Sequence, residues 1–269
     1  MTLMNTQIHP PAPRFDEAGI QALSLSGADV SKAPCTVRGV VGIIGGMGPV
    51  ATADFYLKLV QATPAASDQE HLQVLIWSDP TIPDRTDALL THGADPTPAL
   101  IAGAQLLQRS GAAMLAIPCN TAHAFLTAVQ ASVDIPIIHM IEETAMQVQH
   151  LKPGVQRVGL LSTTGTQKAG LYQAWLDKKG IEVLSPGGST QEHLVMGSIR
   201  AIKAGTPGSA VRADFVAAAQ ELIDAGAQAI IGGCTEVPVG LCGDDLSVPF
   251  IDPAKVLAES VVRRVLTMV

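Results

Sequence analysis

Residues 115–125, LAIPCNTAHAF, place Cys119 where a short apolar run ends and a helix is predicted to begin. Residues 229–237, AIIGGCTEV, repeat this arrangement around Cys234 in the second half of the chain. In each stretch the cysteine follows a predicted buried strand and precedes a small polar residue. Two stretches with the same pattern in one chain indicate an internal duplication.

The segments that lead up to the two cysteines also match. Gly42 and Gly159 lie in similar apolar strands, and each precedes its cysteine by nearly the same number of residues. We therefore predict an α/β fold of two similar parallel-sheet domains related by a pseudo-twofold axis. Ligands of such sheets bind beyond the carboxyl ends of the strands, so the two cysteines should face each other across an interdomain cleft.

Hydrophobic periodicity, with glycine and proline at the breaks, predicts alternating strands and helices from residue 37 onward. The predicted strands cover residues 37–44, 72–77, 113–117, 136–140, 155–161, 181–184 and 229–231. The predicted helices cover residues 49–62, 98–109, 122–130, 142–151, 170–180 and 213–225. Residues 78–90, SDPTIPDRTDALL, are predicted to be a loop, and residues 1–36 an N-terminal extension.

The composition excludes several classes of function. The 269-residue chain has a net charge of −7 and no long basic run, so we expect neither a nucleic-acid partner nor a membrane partner. No apolar run approaches the roughly 20 residues that span a bilayer, and the start, MTLMNTQIHPPAPRF, lacks a signal-peptide pattern. We therefore expect a cytoplasmic protein with free thiols. No C-x-x-C or nucleotide-binding motif occurs, so we expect no metal and no cofactor, and Cys35 and Cys242 receive no role.

Two opposed cysteines suit proton transfer on both faces of one carbon atom. The thiolate is the reactive form, and a helix N-terminus stabilises it through free N–H groups and the helix dipole. A racemase needs one thiolate as base and one thiol as acid, and their roles exchange with the handedness of the substrate. A single cysteine is more often a packing residue, but the matching positions of Cys119 and Cys234 favour catalysis.

Other residues near these motifs have two interpretations. The turn at residues 45–49, GGMGP, either only joins a strand to a helix or also lets the backbone approach a ligand. Arg85 either binds a carboxylate or pairs with a neighbouring aspartate in its loop. Lys203 either faces a ligand or is a surface charge on a helix, and His123 either tunes the Cys119 thiolate or packs as a capping residue.

Five motifs together resemble the aspartate/glutamate racemases that work without pyridoxal phosphate. They are GIIGGMGPVATADFY, PDRT, PCNTAH, IKAG and GGCTEVP, at residues 42–56, 83–86, 118–123, 202–205 and 232–238. The resemblance runs from about residue 37 to the C-terminus, and it implies two α/β domains with the active site between them. It also implies chemistry without a cofactor and assembly into a homodimer.

The resemblance implies a role for eight residues. Cys119 and Cys234 would be the catalytic acid/base pair. Six further residues would contact the substrate, two of them as cations that face its carboxylates: Met47, Arg85, Asn120, Thr121, Lys203 and Thr235. The last helix would return to the first domain, so residues 37–150 and 249–269 would form the N-terminal domain and residues 151–248 the C-terminal domain.

The expected substrate is a free dicarboxylic amino acid, with aspartate favoured over glutamate by the motif resemblance. Two fixed cations would select an acidic side chain, because a buried guanidinium without an anion is costly. Three related activities remain open: hydantoin racemisation, maleate cis–trans isomerisation and arylmalonate decarboxylation, the last disfavoured because it needs only one cysteine. A non-catalytic two-lobed ligand-binding protein is a further alternative, although such a protein needs no opposed thiols.

Overall fold

The computed structural model of the chain describes residues 39–151, 154–206 and 208–268. One sheet contains β1 (Val40–Gly45), β2 (Val74–Ser78), β3 (Ala112–Ala116) and β4 (Ile137–Ile138), in the order β2-β1-β3-β4. The other contains β5 (Arg157–Ser162), β6 (Glu182–Leu184), β7 (Ile230–Gly233) and β8 (Phe250–Ile251), in the order β6-β5-β7-β8. All strand pairs are parallel, which confirms the predicted α/β fold with two similar sheets. The predicted extension and Cys35 lie outside the described residues.

The α-helices of the described residues cover most of the chain between the strands. They are α1 (Pro49–Ala62), α2 (Arg85–Leu90), α3 (Thr97–Arg109), α4 (Leu126–Gln130), α5 (Met140–Leu151), α6 (Thr164–Lys168), α7 (Gln173–Leu176), α8 (Gly197–Lys203), α9 (Ser209–Asp224), α10 (Val237–Gly240) and α11 (Pro253–Thr267). A π-helical segment, Thr190–Met196, leads into α8. Each described helix is too short or too polar to cross a lipid bilayer. We call the sheet β1–β4 with the helices on it the first lobe, and the sheet β5–β8 with its helices the second lobe.

Matching glycines in β1 and β5 let a helix pack closely on each sheet. A Cβ at Gly42 would lie 2.5 Å from the Leu115 side chain and 3.2 Å from Leu107 of α3. A Cβ at Gly159 would lie 2.5 Å from the Ile230 side chain and 3.0 Å from Leu222 of α9. Carbon atoms attract best at about 3.5–4.0 Å, so a larger residue would force the neighbouring strand side chain to move and would crowd the helix. The two halves therefore share this close packing of a helix on a strand glycine as well as the order of their strands.

Several element bounds differ by a few residues, and Met140, predicted to end a strand, begins α5. Three predicted segments differ in type. Residues 78–90 are not all loop, because α2 begins at Arg85, where the Asp84 carboxylate accepts hydrogen bonds from the N–H groups of Thr86 and Asp87 at 2.8 and 3.0 Å. This N-cap satisfies backbone donors at the helix start. The helix predicted for residues 122–130 begins as a 3₁₀ segment, Thr121–Phe125, and the one predicted for residues 170–180 is divided between α7 and a 3₁₀ turn.

The last helix of each half packs on the sheet of the other half. In α5, which follows β4, Ile141, Ala145 and Val148 belong to the apolar core of the second lobe. In α11, which follows β8, Leu257 and Val261 belong to the core of the first lobe. The predicted domain boundaries stay a prediction, and the packing of α5 favours a first boundary before this helix instead of after it.

A buried carboxylate joins these two exchanged helices. Glu143 of α5 is 4% exposed and accepts hydrogen bonds from Ser260, Arg263 and Arg264 of α11. Several donors on one carboxylate compensate for the loss of its hydration. The contact links α5 and α11, and through them the two lobes.

Candidate active site

The carboxyl ends of the two sheets meet around a small space that we call the inner cavity. Its volume is ≈ 10 Å³, and the sequence-predicted site residues all line it: Met47, Arg85, Asn120, Thr121, Lys203, Thr235, Cys119 and Cys234. The remaining lining residues are Asp84, Thr86, Thr163 and Glu236. Both lobes therefore contribute to one site, as expected where parallel sheets present their carboxyl edges.

An outer pocket of ≈ 350 Å³ adjoins the inner cavity. The two spaces share Met47, Asp84, Arg85, Lys203 and Glu236. The rest of the outer pocket is mostly glycine and apolar: Gly46, Gly48, Pro49, Val50, Pro80, Ile82 and Ile202. The cations thus lie between the wider outer pocket and the cysteines.

The two cysteines occupy equivalent places in the two lobes. Cys119 follows β3 and Cys234 follows β7, and each is 6% exposed. Helical segments follow both cysteines: a 3₁₀ segment, Thr121–Phe125, that leads into α4, and the four-residue α10.

Glu236 contacts the thiol of Cys234. The Sγ–H group of Cys234 donates a hydrogen bond to Oε2 of Glu236 at 2.8 Å, and Glu236 is 3% exposed. Burial raises the pKa of the Cys234 thiol well above its ordinary value, and the negative charge of Glu236 raises it further, while Lys203 acts in the opposite direction. The thiol of Cys234 is therefore held in its protonated form.

Lys203 provides a positive charge near both cysteines. Burial by itself would lower the pKa of its ammonium group, but the negative charges that Cys234, Glu236 and Cys119 carry when ionised leave the pKa raised. Lys203 is exposed to solvent, which screens part of this interaction. No described carboxylate forms an ion pair with Lys203.

Arg85 is buried and bound to backbone carbonyls. Its Nη1 donates to the carbonyls of Ile82 and Pro83 at 3.2 and 3.0 Å, and its Nη2 donates to the carbonyl of Met47 at 3.3 Å. Its Nε has no hydrogen-bond partner among the described residues, and no described carboxylate lies within ion-pair distance. Neither Asp84 nor Asp87 forms an ion pair with Arg85 in the described structure: Asp84 caps α2, and its charge interacts with Arg85 only at longer range. A buried guanidinium without a carboxylate at ion-pair distance is suited to binding an anion.

The Gly-rich turn after β1 is a tight connection that leads directly into the wall of the site. A Cβ at Gly46 would lie 2.3 Å from the backbone of Asp79, and its φ of 91° is in the left-handed region that glycine adopts without strain. The next residue, Met47, lines both spaces and offers its carbonyl to Arg85. The tight turn thus positions a wall of the site.

Hydroxyl groups connect the lobes beside Cys119. Thr121 of the first lobe lies 2.9 Å from the hydroxyls of both Thr163 and Thr166 of the second lobe, and these two lie 3.1 Å apart. All three residues are buried. Hydroxyls both donate and accept, so the three can satisfy one another in a ring.

His123 holds the backbone near Cys119 and does not line the inner cavity. Its Nε2 accepts a hydrogen bond from the N–H of Met140 at 3.1 Å, and its Nδ1 lies 2.9 Å from the carbonyl of Cys119. Since Nε2 accepts, the proton of a neutral ring is on Nδ1 and is donated to Cys119. Burial lowers the pKa of His123 to about 3, so the ring stays neutral. These contacts favour the capping interpretation of this histidine.

Four residues of the inner cavity were not among the predicted site residues, although the sequence carried a signal for each. Glu236 lies within the second cysteine motif, and Asp84 and Thr86 flank Arg85. Thr163 follows the end of β5 as the Gly-rich turn follows the end of β1, so the duplication itself points to it. Cys242 is exposed and outside the cavity. Among the described residues, no cluster of three or more His, Cys, Asp or Glu could hold a metal ion.

Comparisons with known proteins agree with this geometry. A family model described as Asp/Glu/Hydantoin racemase matches residues 44–261. The broad specificity amino-acid racemase RacX of Bacillus subtilis (strain 168) is 31% identical over 227 residues, which cover 83% of this chain and 96% of RacX.

Solved structures with the same fold include two racemases of named substrate. The Picrophilus torridus aspartate racemase has a TM-score of 0.74 and 32% identity, with 84% of this chain and 94% of that chain covered. Glutamate racemase from Francisella tularensis, in complex with D-glutamate, has a TM-score of 0.64 and 20% identity, with 86% and 82% covered, and shows the fold alone. The chain therefore belongs to the Asp/Glu/hydantoin racemase family and is an enzyme of the amino-acid racemase type.

Proposed function

We propose that this racemase interconverts L- and D-aspartate, with glutamate as a second substrate, by proton transfer between the α-carbon and two cysteines. One observation carries the proposal: the thiols of Cys119 and Cys234, one from each lobe, line the same cavity as two cations that form no ion pair with any described carboxylate. A similar aspartate racemase of known structure supports the choice of substrate.

Proton transfer needs one thiolate and one thiol at a time. In the free enzyme Cys234 is the thiol, because burial and Glu236 keep it protonated. The Cys119 thiolate removes the α-proton of one enantiomer and becomes a thiol. Cys234 then gives its proton to the opposite face of the planar carbanion and becomes a thiolate. The enzyme is then left with a Cys119 thiol and a Cys234 thiolate, which is the form that starts the reverse reaction with the other enantiomer. Proton exchange with solvent, in which Cys119 loses a proton and Cys234 gains one, restores the first form, so protons and charges balance over the cycle.

Arg85 and Lys203 select the substrate and stabilise the intermediate. Nε of Arg85 has no hydrogen-bond partner in the part of the chain that the structure describes. Lys203 lies close enough to both cysteines to interact electrostatically with their thiolates. Two carboxylates on the substrate would satisfy both cations, and the negative charge that develops when the α-proton leaves would be stabilised by groups already in place. A neutral side chain would leave one cation unpaired, which is unfavourable in a partly buried site.

Substrate entry requires the lobes to move apart. The inner cavity of ≈ 10 Å³ has space for about one water molecule, so an amino acid does not fit between the cysteines in this conformation. The outer pocket of ≈ 350 Å³ is wide enough to receive it first. Closure around the substrate would exclude water, which strengthens the electrostatic contacts of the site.

A second candidate function is racemisation of many amino acids. The outer pocket has a largely apolar wall that includes Pro49, Val50 and Ile202, which would accept side chains without a charge. The relative RacX is named as a broad specificity racemase. The two cations favour the narrower function, since they have no role in holding an apolar side chain.

Initial rates with both enantiomers of aspartate, glutamate, asparagine and alanine test the proposal. We expect the two acids to react much faster than asparagine or alanine. In Arg85→Leu, loss of one charge-assisted contact should lower the rate with aspartate roughly ten- to a hundredfold and change the rate with alanine far less. The ratio of the two rates does not depend on how much of the variant is folded.

Arg109→Leu is the matched control, because Arg109 is exposed at the end of α3 and outside the site. It should keep the wild-type ratio of aspartate to alanine rates. If asparagine or alanine reacted as fast as the acids in the wild-type enzyme, the broad specificity function would replace the narrower one. Absence of racemisation with the whole panel would contradict both.

A further inference from the structure

Tyr172 contacts the cysteine segments of both lobes. It is fully buried, and a Cβ on Gly233, the residue before Cys234, would lie 3.2 Å from Cε2 of its ring. Its hydroxyl donates a hydrogen bond of 2.6 Å to Oδ1 of Asn120, the residue after Cys119. One side chain of the second lobe therefore packs beside one cysteine and bonds the neighbour of the other.

This hydrogen bond determines which side of the Asn120 amide faces the site. A phenol has a single proton, and the Asn120 oxygen accepts it, so the amide Nδ2 is left for other contacts. Asn120 is 2% exposed and lines the inner cavity, yet its Nδ2 has no partner among the described residues. A buried amide donor without an acceptor is unfavourable, and in an active site it indicates the place of a ligand.

We propose that Tyr172 is a positioning residue for racemisation: it holds the Asn120 amide oxygen, so that Nδ2 donates to a carboxylate of the bound substrate. The inference rests on the proposed function and adds a residue that does not itself touch the substrate. Negative charge moves onto the α-carboxylate as the α-proton leaves, and a donor held in place stabilises it without having to reorient. Because the Tyr172–Asn120 bond crosses between the lobes, it also links the orientation of Asn120 to their closure.

The hydroxyl remains a donor over the working pH range. Burial raises the pKa of Tyr172 far above its ordinary value, so the phenol does not ionise. Tyr172→Phe keeps the ring in its packed place and removes only the hydroxyl. The variant therefore separates the hydrogen bond from the packing.

The test measures the steady-state kinetics of Tyr172→Phe, Asn120→Ala and the double variant. Each is assayed with L-aspartate and with D-aspartate. We expect Tyr172→Phe to raise KM and lower kcat/KM roughly ten- to a hundredfold, the effect of losing one hydrogen bond to a charged group. If Tyr172 acts through Asn120, adding Tyr172→Phe to Asn120→Ala should change kcat/KM less than threefold. Tyr56→Phe is the matched control, because Tyr56 is exposed on α1 outside the inner cavity, and it should behave as wild type.

A second variant tests the contact without touching Tyr172. Asn120→Asp can still accept the tyrosine proton, but it offers no N–H and repels a carboxylate, so KM should rise at least as much as in Tyr172→Phe. Multiplicative effects in the double variant, or wild-type KM in Tyr172→Phe or Asn120→Asp, would overturn the inference and leave the proposed function standing. A wild-type enzyme that racemises no amino acid would overturn both.

Discussion

Glu236 gives the two thiols of the inner cavity different surroundings. Cys234 donates its proton to this buried carboxylate, whereas no hydrogen bond joins the Cys119 thiol to a described carboxylate. The carboxylate favours the protonated form of its cysteine, and it is also an acceptor to which the proton can move when a thiolate is required. Cys234 is therefore the acid in the free enzyme, although the two lobes share the same architecture.

Glu236→Gln should lower kcat for aspartate roughly ten- to a hundredfold, because an uncharged amide cannot take the thiol proton. Removing the negative charge should also lower the pKa of Cys234, since Glu236 is one of the causes that raise it. We therefore expect the alkaline limb of the pH–rate profile to move to lower pH. Rates for both enantiomers between pH 6 and pH 10 measure both effects.

Glu259→Gln removes an exposed carboxylate from α11 and serves as the control. It should leave the rate and the profile unchanged. A Glu236→Gln enzyme with wild-type kcat and a wild-type profile would show that the Cys234–Glu236 contact has no part in proton transfer.

His123 connects two elements on either side of the active-site loop. It bonds the Cys119 carbonyl at the end of the β3 segment and the N–H of Met140 at the start of α5. The neighbouring ring of His139 lies 5.0 Å away and disfavours a positive charge on His123. The position of Cys119 thus depends on a neutral histidine.

This histidine should make the fold sensitive to acid. An unfolded histidine has a pKa of about 6.5. Burial lowers the pKa of His123 to about 3. Between these values the folded state binds fewer protons than the unfolded chain, so the contribution is fully present above pH 6.5 and is lost as the pH falls. The free energy of unfolding should decrease by roughly 1.4 kcal/mol per pH unit from this group.

Urea unfolding at pH 6.5, 5.5 and 4.5 checks this expectation by comparison with His123→Asn. The asparagine can donate to the Cys119 carbonyl but does not titrate, so the variant should be less stable than wild type at pH 6.5 and have a flatter dependence on pH. His150→Asn changes an exposed histidine of α5 and should follow the wild-type curve. Parallel curves for wild type and His123→Asn would contradict the account.

At the largest scale, the described part of the chain consists of two similar halves that exchange their last helices. Both sheets have the same strand order, the exchanged helices α5 and α11 pack on opposite sheets, and Glu143 joins them. The equivalent positions of Cys119 and Cys234 follow from this symmetry. The symmetry fits the proposed reaction, whose substrate and product are mirror images.

Much of this architecture could be predicted from the sequence, because strand periodicity and matching cysteine motifs are local signals. The pattern predicted α1 with its observed bounds. The family resemblance, rather than the pattern, named the eight residues that the structure places around one cavity. It did not predict that α5 packs on the second sheet, since hydrophobic periodicity shows that a helix has an apolar face and not which sheet that face contacts. The roles of Glu236 and Tyr172 also depend on contacts that form only on folding, in the case of Tyr172 with a residue far away in the sequence.

The most direct test of two-cysteine racemisation is the exchange of the α-proton in D₂O, followed by NMR together with chiral analysis of the product. We predict that Cys119→Ala and Cys234→Ala racemise neither aspartate nor glutamate, and that each still exchanges the α-proton of one enantiomer, a different one in each variant. Cys242→Ala, which changes the exposed cysteine outside the cavity, should behave as wild type. Full racemisation by either active-site variant, or exchange of the same enantiomer by both, would contradict the two-base account.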